Sequence, residues 1–190
     1  SILELGFNCV RLPFSLDTFL SNVTRVPHPT VSLAANVELQ AHSPSELFDA
    51  VVKALTEQGL MVILNNHVSS SGWCCSLTDG EGLWYTQEYS AAQWIDALGA
   101  VTVRYRDNPL VAGFDIRNEL RPSGLGSPTW GSGGPAFDWS LAAQEGAERV
   151  LAENDGMLVI VSGLFFSIFL CDVPSRPIHQ VPGLVNHIVY

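Results

Sequence analysis

The sequence predicts an α/β protein in which helices cover a parallel β-sheet, and three observations lead to this prediction. Short runs of β-branched and aliphatic residues alternate with stretches of helical periodicity along the chain. The short runs are apolar almost throughout, which is typical of parallel strands buried on both faces. The 190 residues, 47% of them hydrophobic, provide one sizeable core and no room for two ordinary domains. We therefore expect residues 1–190 to form part of a single domain.

The predicted helices are marked at their ends. In the first, at residues 44–58, Ser43 can cap the N-terminus, Glu46 completes a capping box, and Gly59 can close the C-terminus. The apolar positions of this helix that are expected to face the core are Leu47, Val51 and Leu55. Two more helices are predicted at residues 91–106 and 139–153, the latter capped by Asp138. The buried face of the second is expected to consist of Trp94, Leu98, Val101 and Tyr105.

The predicted strands are the apolar runs around these helices, at residues 7–14, 60–65, 111–116, 157–162 and 184–190. No G-x-G-x-x-G or P-loop motif follows any of them, so the strongest sign of an open nucleotide-binding sheet is missing. Polar residues instead fall at the C-terminal ends of three strands: Arg11, His67, and the pair Asn118 and Glu119. Because (β/α)8 TIM barrels build their active sites from those ends, the barrel is favoured over the doubly wound sheet.

Charge and hydropathy exclude several classes of partner. The chain has 19 acidic and 9 basic residues, a formal net charge of −10, which repels nucleic acid and anionic membrane surfaces. The longest apolar stretch, residues 157–170, is short for a bilayer span of roughly 20 residues. No membrane span is therefore expected. The chain opens on Ser1 without a charged-then-apolar leader, so no signal peptide is predicted within it.

The four cysteines form no C-x-x-C pair, so no zinc ribbon and no redox motif is predicted, and we expect neither metal nor cofactor. The neighbours Cys74 and Cys75 are not expected to bond to each other, although either could reach Cys9 or Cys171 if the loop folds back. A metal site formed by His67 with Cys74 and Cys75 is a third-ranked alternative, since the spacing matches no standard zinc pattern.

Three segments together resemble glycoside hydrolases of family 5, the group that contains many cellulases. They are GFNCVRLPF with Arg11, LMVILNNHVSSSGWCC with His67, and VAGFDIRNELRP with Asn118 and Glu119. The resemblance implies an incomplete (β/α)8 TIM barrel that holds about strands two to six, with the first and last strands missing from this chain. Residues 1–190 would then be a single partial catalytic domain.

The resemblance also implies a retaining glycosidase that cleaves the O-glycosidic bonds of a β-glucan, a cellulose-like polysaccharide or another β-glucoside. Glu119 would be the general acid/base, Asn118 would hold the sugar 2-hydroxyl, Arg11 would orient or charge the nucleophile, and His67 would support the site. Retention requires a second carboxyl about 5 to 5.5 Å away. Four residues of strand separate Asp115 from Glu119, about 13 Å, so the nucleophile is expected outside this chain, and the isolated fragment is expected to be inactive.

A sugar site also needs flat apolar faces for the C–H faces of pyranose rings. The candidates for such platforms are Trp73, Trp84 and Tyr85, in the long loop after the second apolar run, and more weakly Trp130. Each of them could instead anchor a loop. The expected partner is a β-linked oligo- or polysaccharide.

Several alternatives remain open at this stage. Arg11 could pair with Asp115 or with buried carbonyls instead of serving the site. A non-catalytic carbohydrate-binding relative is the second functional candidate, because the partner carboxyl is missing and Leu120 stands where many relatives have Pro. Secretion is expected from the family resemblance and from the glycosylation sequon at Asn22.

Overall fold

The computed structural model describes residues 2–20, 35–40 and 42–190. The sequon at Asn22 lies outside this part of the chain. The strands are β1 (Cys9–Ser15), β2 (Met61–Val68), β3 (Val111–Asp115), β4 (Leu158–Ile160) and β5 (Ile188–Val189). The α-helices are α1 (Leu16–Leu20), α2 (Pro44–Glu57), α3 (Ala91–Tyr105), α4 (Trp139–Glu153) and the short α5 (Leu164–Ser167). Three single turns of 3-10 helix lie at Val37–Leu39, Val173–Ser175 and Ile178–Gln180.

The five strands form one parallel sheet in the order β1-β2-β3-β4-β5. Each new strand is added on the same side of the previous one, whereas a doubly wound sheet reverses its strand order at a switch point. The α/β prediction is confirmed, and the strand order is that of a barrel wall. The predicted run 184–190 contributes only the two residues of β5 to the sheet.

Local capping interactions explain where the long helices begin. The Ser43 side chain accepts from the Glu46 amide while the Glu46 carboxylate accepts from the Ser43 amide, which confirms the predicted capping box. A second capping box joins Ser90 and Gln93 at the start of α3. Asp138 caps α4 by accepting from the Ser140 amide, also as predicted. These interactions satisfy amides that have no partner within the helix.

Helices α3 and α4 pack against each other over the sheet. The predicted buried face of α3 is confirmed, with Trp94, Leu98, Val101 and Tyr105 all in the core. The prediction for α2 is confirmed at Leu55, which packs against the core, and is wrong at Val51, which is exposed. Phe48 and Val52 are buried instead. Phe48 packs edge-on against Phe14 and Phe19, a large aromatic contact that rotates α2 away from the stripe its aliphatic residues suggested.

Both edges of the sheet are open within the described residues, where β1 and β5 each have a single partner strand. Large apolar side chains lie exposed near these edges, including Leu5, Phe7 and Val189. None of the helices in the described part of the chain is long and apolar enough to cross a membrane.

Candidate active site

The C-terminal ends of the adjacent parallel strands β2 and β3 bring His67, Asn118 and Glu119 to one rim of the sheet. The expectation that Arg11 ends its strand is wrong, because it is the third of the seven residues of β1 and only its long side chain reaches this rim. Arg11 of β1 donates through Nε and Nη2 to the Asp115 Oδ2 atom of β3, at 2.8 and 2.6 Å. Its Nη2 also donates to Asn118 Oδ1 at 2.7 Å. One guanidinium thus holds a buried carboxylate and the carboxamide beside Glu119, so Arg11 pairs with Asp115 and also reaches the site.

Asp115 is buried at this rim, and its Oδ2 atom is engaged by two hydrogen bonds from Arg11. Burial raises the pKa of its carboxyl above the ordinary value of 3.8, and the Arg11 guanidinium opposes that increase. Oδ1 of Asp115 has no hydrogen-bond partner among the described residues. The pair therefore combines a poorly solvated carboxylate with a guanidinium that is 42% exposed toward the rim.

His67 lies at the end of β2, with Nδ1 2.7 Å from Asn65 Oδ1. Because a carboxamide oxygen only accepts, this contact puts the ring hydrogen on Nδ1 and leaves Nε2 as the acceptor. The pKa of His67 is lowered from 6.5, first by burial and then by the positive charge of Arg11, while the Glu119 carboxylate acts in the opposite direction. The imidazole is therefore neutral at neutral pH, and the Glu119 carboxylate is one of the charges that act on it.

Glu119 lies four residues after Asp115, the last residue of β3, and is half-buried. Its φ of 42° lies in the left-handed region, which non-glycine residues seldom occupy. Arg121 Nη1 donates to the Glu119 carbonyl oxygen at 2.7 Å. Glu119 therefore lies on a sharp backbone turn that the Arg121 side chain stabilises.

Cys74 and Cys75 form a disulfide with each other, and Cys9 and Cys171 are free. The expectation that the neighbours would not bond is wrong, because the two sulfur atoms are joined and neither reaches Cys9 or Cys171. Asn118 Nδ2 approaches the two sulfur atoms at 3.9 and 3.7 Å. The loop after β2 thus reaches the rim and contacts the residue next to Glu119.

Potential metal ligands come together at one place in the described part of the chain. One ligand atom each from His67, Cys74 and Cys75 lies within 4.8 Å of the others. Metal binding by cysteine requires thiolate, and both sulfurs are committed to the disulfide. These residues therefore do not fit a metal in the form that the structure shows.

The aromatic candidates separate by exposure. Trp73 is 92% exposed on the loop after β2, and Tyr85 is half-buried, with its hydroxyl donating to the Ala136 carbonyl at 2.9 Å. Trp84 is 2% exposed and its ring packs 5.5 Å from that of Trp139, so the prediction that it offers a sugar platform is wrong. Trp130 is also buried, with its indole nitrogen donating to the Arg176 carbonyl. Both buried tryptophans anchor loops on the core.

Two buried arginines near the rim were missed from the sequence. Arg117 pairs with Glu81 at 2.9 Å and Arg121 pairs with Asp79 at 2.7 Å. Glu81 also accepts from the amides of Ser69 and Ser70 at the end of β2. The only sequence signal is a match in number and opposite charge, with two arginines in IRNELR and two acids in the DGE of the preceding loop. Together they bind that loop to the strand that carries Glu119.

Comparison with known proteins gives a consistent result. The family described as Cellulase (glycosyl hydrolase family 5) matches residues 1–170. A glycosyl hydrolase 5 family protein of Chamaecyparis obtusa is 34% identical over 195 residues, with 94% of this chain and 33% of the relative covered. The major extracellular endoglucanase of Xanthomonas campestris is 35% identical over 160 residues, with 84% of this chain and 30% of the relative covered.

Solved structures show the same likeness. The catalytic domain of the Xanthomonas campestris endoglucanase superimposes with a TM-score of 0.79 at 31% identity, over 93% of this chain and 51% of that one. A hyperthermophilic endocellulase of Pyrococcus horikoshii gives 0.84 at 26% identity, over 100% of this chain and 54% of that one. The chain spans about a third of the curated relatives' length and about half of these structures. The predicted (β/α)8 barrel is confirmed as the fold of which these residues form part.

Proposed function

The chain belongs to glycosyl hydrolase family 5, the cellulase family, and from this premise we propose that the full-length protein is a retaining glycoside hydrolase acting on β-glucans. The observation that carries the proposal is the position of Glu119. It is a half-buried carboxyl on a sharp strand-end turn, at the same rim as Arg11, His67 and Asn118. Barrel enzymes assemble their active sites at this rim.

Glu119 is proposed as the general acid/base. Cleavage of a glycosidic bond requires a proton on the leaving oxygen while positive charge develops at the anomeric carbon. In the first step the carboxylic acid of Glu119 gives its proton to that oxygen as the bond to carbon breaks. In the second step its carboxylate takes a proton from the water that releases the sugar from the enzyme.

The nucleophile is proposed to come from a part of the barrel beyond these residues. Asp115 lies at the same rim, but Arg11 holds its Oδ2 with two hydrogen bonds. A carboxylate so engaged is poorly placed to attack a sugar. A retaining enzyme needs its second carboxyl about 5 to 5.5 Å from the first, on the opposite face of the scissile bond.

The other polar residues are proposed to bind substrate and to prepare the site electrostatically. The partly exposed guanidinium of Arg11 presents positive charge that favours an ionised nucleophile nearby. It also fixes the carboxamide of Asn118, which suits that side chain to bind a sugar hydroxyl. His67, neutral and with Nε2 free of the Asn65 contact, is suited to accept a hydrogen bond from another hydroxyl.

Substrate is proposed to be a β-linked oligo- or polysaccharide that crosses this rim. Trp73 and Tyr85 are the remaining aromatic candidates for stacking on pyranose rings. The endocellulase of Pyrococcus horikoshii has been solved in complex with cellotetraose, which supports a glucan of this kind. Because one relative is an extracellular endoglucanase, we also propose that the protein is secreted.

The assay is release of reducing sugar from a soluble β-glucan by the full-length protein. Glu119→Gln should lower kcat on the order of 10²- to 10⁴-fold, since it removes general acid/base catalysis while keeping the size of the side chain. Glu145→Gln, the same exchange at an exposed position of α4, is the matched control and should retain activity. Unchanged turnover in Glu119→Gln would rule out the assignment.

A non-catalytic carbohydrate-binding protein is the second candidate, favoured by the engagement of Asp115 with Arg11. It predicts that cellotetraose binds the full-length protein and is recovered intact. Calorimetric binding together with chromatography of the same samples separates the two candidates, because an enzyme also yields shorter sugars.

A further inference from the structure

We propose that Arg121 is a positioning residue for Glu119, fixing the turn that aims the carboxyl and tying it to the loop after β2. The proposal rests on the role proposed for Glu119. Arg121 is not proposed to touch the substrate. It acts through the backbone of Glu119, which is proposed to do so. Its evidence is a set of contacts made by one fully buried guanidinium.

The first contact is with the turn itself. Glu119 adopts a φ of 42°, a conformation that persists only where surrounding groups hold it. Arg121 Nη1 donates to the Glu119 carbonyl oxygen at 2.7 Å. Because this hydrogen bond fixes the peptide plane that follows Glu119, it limits rotation of the turn and therefore the direction of the side chain.

The remaining donors of Arg121 face the loop after β2. Nε donates to the Ser76 carbonyl at 2.9 Å and Nη2 to Asp79 Oδ2 at 2.7 Å. The backbone amide of Arg121 donates to the Gly82 carbonyl at 2.9 Å. Side chain and backbone thus clamp the segment 76–82, which follows directly on the Cys74–Cys75 disulfide.

The guanidinium also packs against the loop after β4. Its central carbon lies 5.6 Å from the centre of the Phe166 ring, and the Phe166 amide donates to the carbonyl of Leu120, next to Glu119. Arg121 therefore connects the turn to the loops on both sides. A planar group with donors in fixed directions can do this, whereas a lysine ammonium cannot reach all of these acceptors at once.

Arg117 is a natural comparison. It is equally buried, precedes Glu119 by two residues, and pairs with Glu81 of the same loop. Its guanidinium donates to Glu81, Asn66 and Ser69. Arg117 therefore resembles Arg121 in being buried and in forming an ion pair with this loop. Its side-chain hydrogen bonds, however, go to Glu81 and to residues at the end of β2, and none goes to Glu119.

The test uses leaving-group dependence in the full-length protein. Phenyl β-cellobioside needs a proton on its departing oxygen, and the 2,4-dinitrophenyl analogue departs without one, so misplacing the acid slows the first selectively. Arg121→Lys should lower kcat/KM for the phenyl substrate on the order of 10- to 100-fold, as expected for a displaced catalytic group, and for the dinitrophenyl substrate far less. Arg117→Lys should change both substrates by the same factor.

Loss of folded protein lowers both rates equally, so the ratio of the two substrates reports position independently of stability. Asp79→Asn, which keeps Arg121 but removes its ion pair, is measured in parallel and should show the same selectivity to a smaller extent. Glu119→Gln is the reference: if it shows no leaving-group selectivity, the proposed function fails. If it does, and Arg121→Lys and Asp79→Asn do not, or Arg117→Lys matches them, the positioning role is overturned.

Discussion

At the scale of single residues, the rim is organised around the carboxamide of Asn118. Its oxygen accepts from Arg11 and its nitrogen faces the sulfurs of Cys74 and Cys75. Arg11 of β1 in turn is anchored on Asp115 of β3, two strands further along the sheet. The orientation of a residue next to the proposed acid/base thus depends on a buried carboxylate that takes no part in the proposed chemistry.

The buried carboxyl of Asp115 gives a prediction about pH. Its folded-state pKa is raised by burial, so between the ordinary value and the raised one the folded protein binds more protons than the unfolded chain. This group therefore lowers the free energy of unfolding as pH rises through that interval, and the cost is fully present above it. As pH rises above 3.8, the stability of Asp115→Asn relative to wild type, measured by urea unfolding, should increase until the carboxyl of the wild-type protein is fully ionised. A difference from wild type that is independent of pH would contradict this.

At the scale of elements, the contact between α3 and α4 over the sheet contains one glycine from each helix, and the two glycines have different neighbours. A Cβ placed on Gly146 of α4 would lie 2.8 Å from the Trp94 ring and 3.2 Å from Leu98 Cδ1. Both neighbours are fully buried and cannot move aside. A Cβ on Gly99 of α3 would instead meet the guanidinium of Arg149, the far end of a flexible, partly exposed side chain.

These environments predict opposite tolerance to the same substitution. Gly146→Ala should destabilise the protein by about 1–3 kcal/mol, because overpacking a core outweighs the gain in helix propensity. Gly99→Ala, the matched control, should stay within about 1 kcal/mol of wild type, since the propensity gain of about 1 kcal/mol offsets the displacement of Arg149. Thermal unfolding of both variants measures the difference. Equal destabilisation would show that Gly146 is not a close-packing position.

The sequence identified features set by local rules. The capping residues Ser43 and Asp138 mark helix starts through side chains that bond to nearby amides, and such signals lie within a few residues. Continuous apolar runs predicted the strands because a strand buried on both faces is recognisable from its own few residues. The sequence also indicated that Arg11, His67, Asn118 and Glu119 meet at one rim, because they lie on neighbouring parallel strands or just after them and match the motifs of the family.

The features that could not be predicted from the sequence depend on contacts between distant segments of the chain. Trp84 is buried because Trp139 of α4 covers it, and nothing near residue 84 specifies that neighbour. Arg121 resembles a surface residue until the loop carrying Asp79 is folded over it. The exchange of Val51 for Val52 on the buried face of α2 follows from Phe48, which packs on aromatic rings of β1 and α1.

At the scale of the whole molecule, a parallel sheet in unbroken chain order places successive strand ends side by side. Residues more than 100 positions apart in the chain, such as Arg11 and Asp115, therefore come within hydrogen-bonding distance. The remaining strands of the barrel would continue this rim on either side of β1 and β5. The proposed general acid/base, Glu119, and the proposed nucleophile would then face each other across the barrel mouth.

Azide rescue tests the central claim, that Glu119 is the acid/base of a retaining glycosidase, most directly. In Glu119→Ala of the full-length protein, 2,4-dinitrophenyl β-cellobioside should still form the glycosyl-enzyme, whose breakdown is slow without a base. Azide needs no base; it attacks the anomeric carbon as the enzyme carboxylate leaves. Turnover should rise with azide concentration, and proton NMR should show β-cellobiosyl azide. No acceleration by azide, or an α-configured product, would contradict the assignment of Glu119.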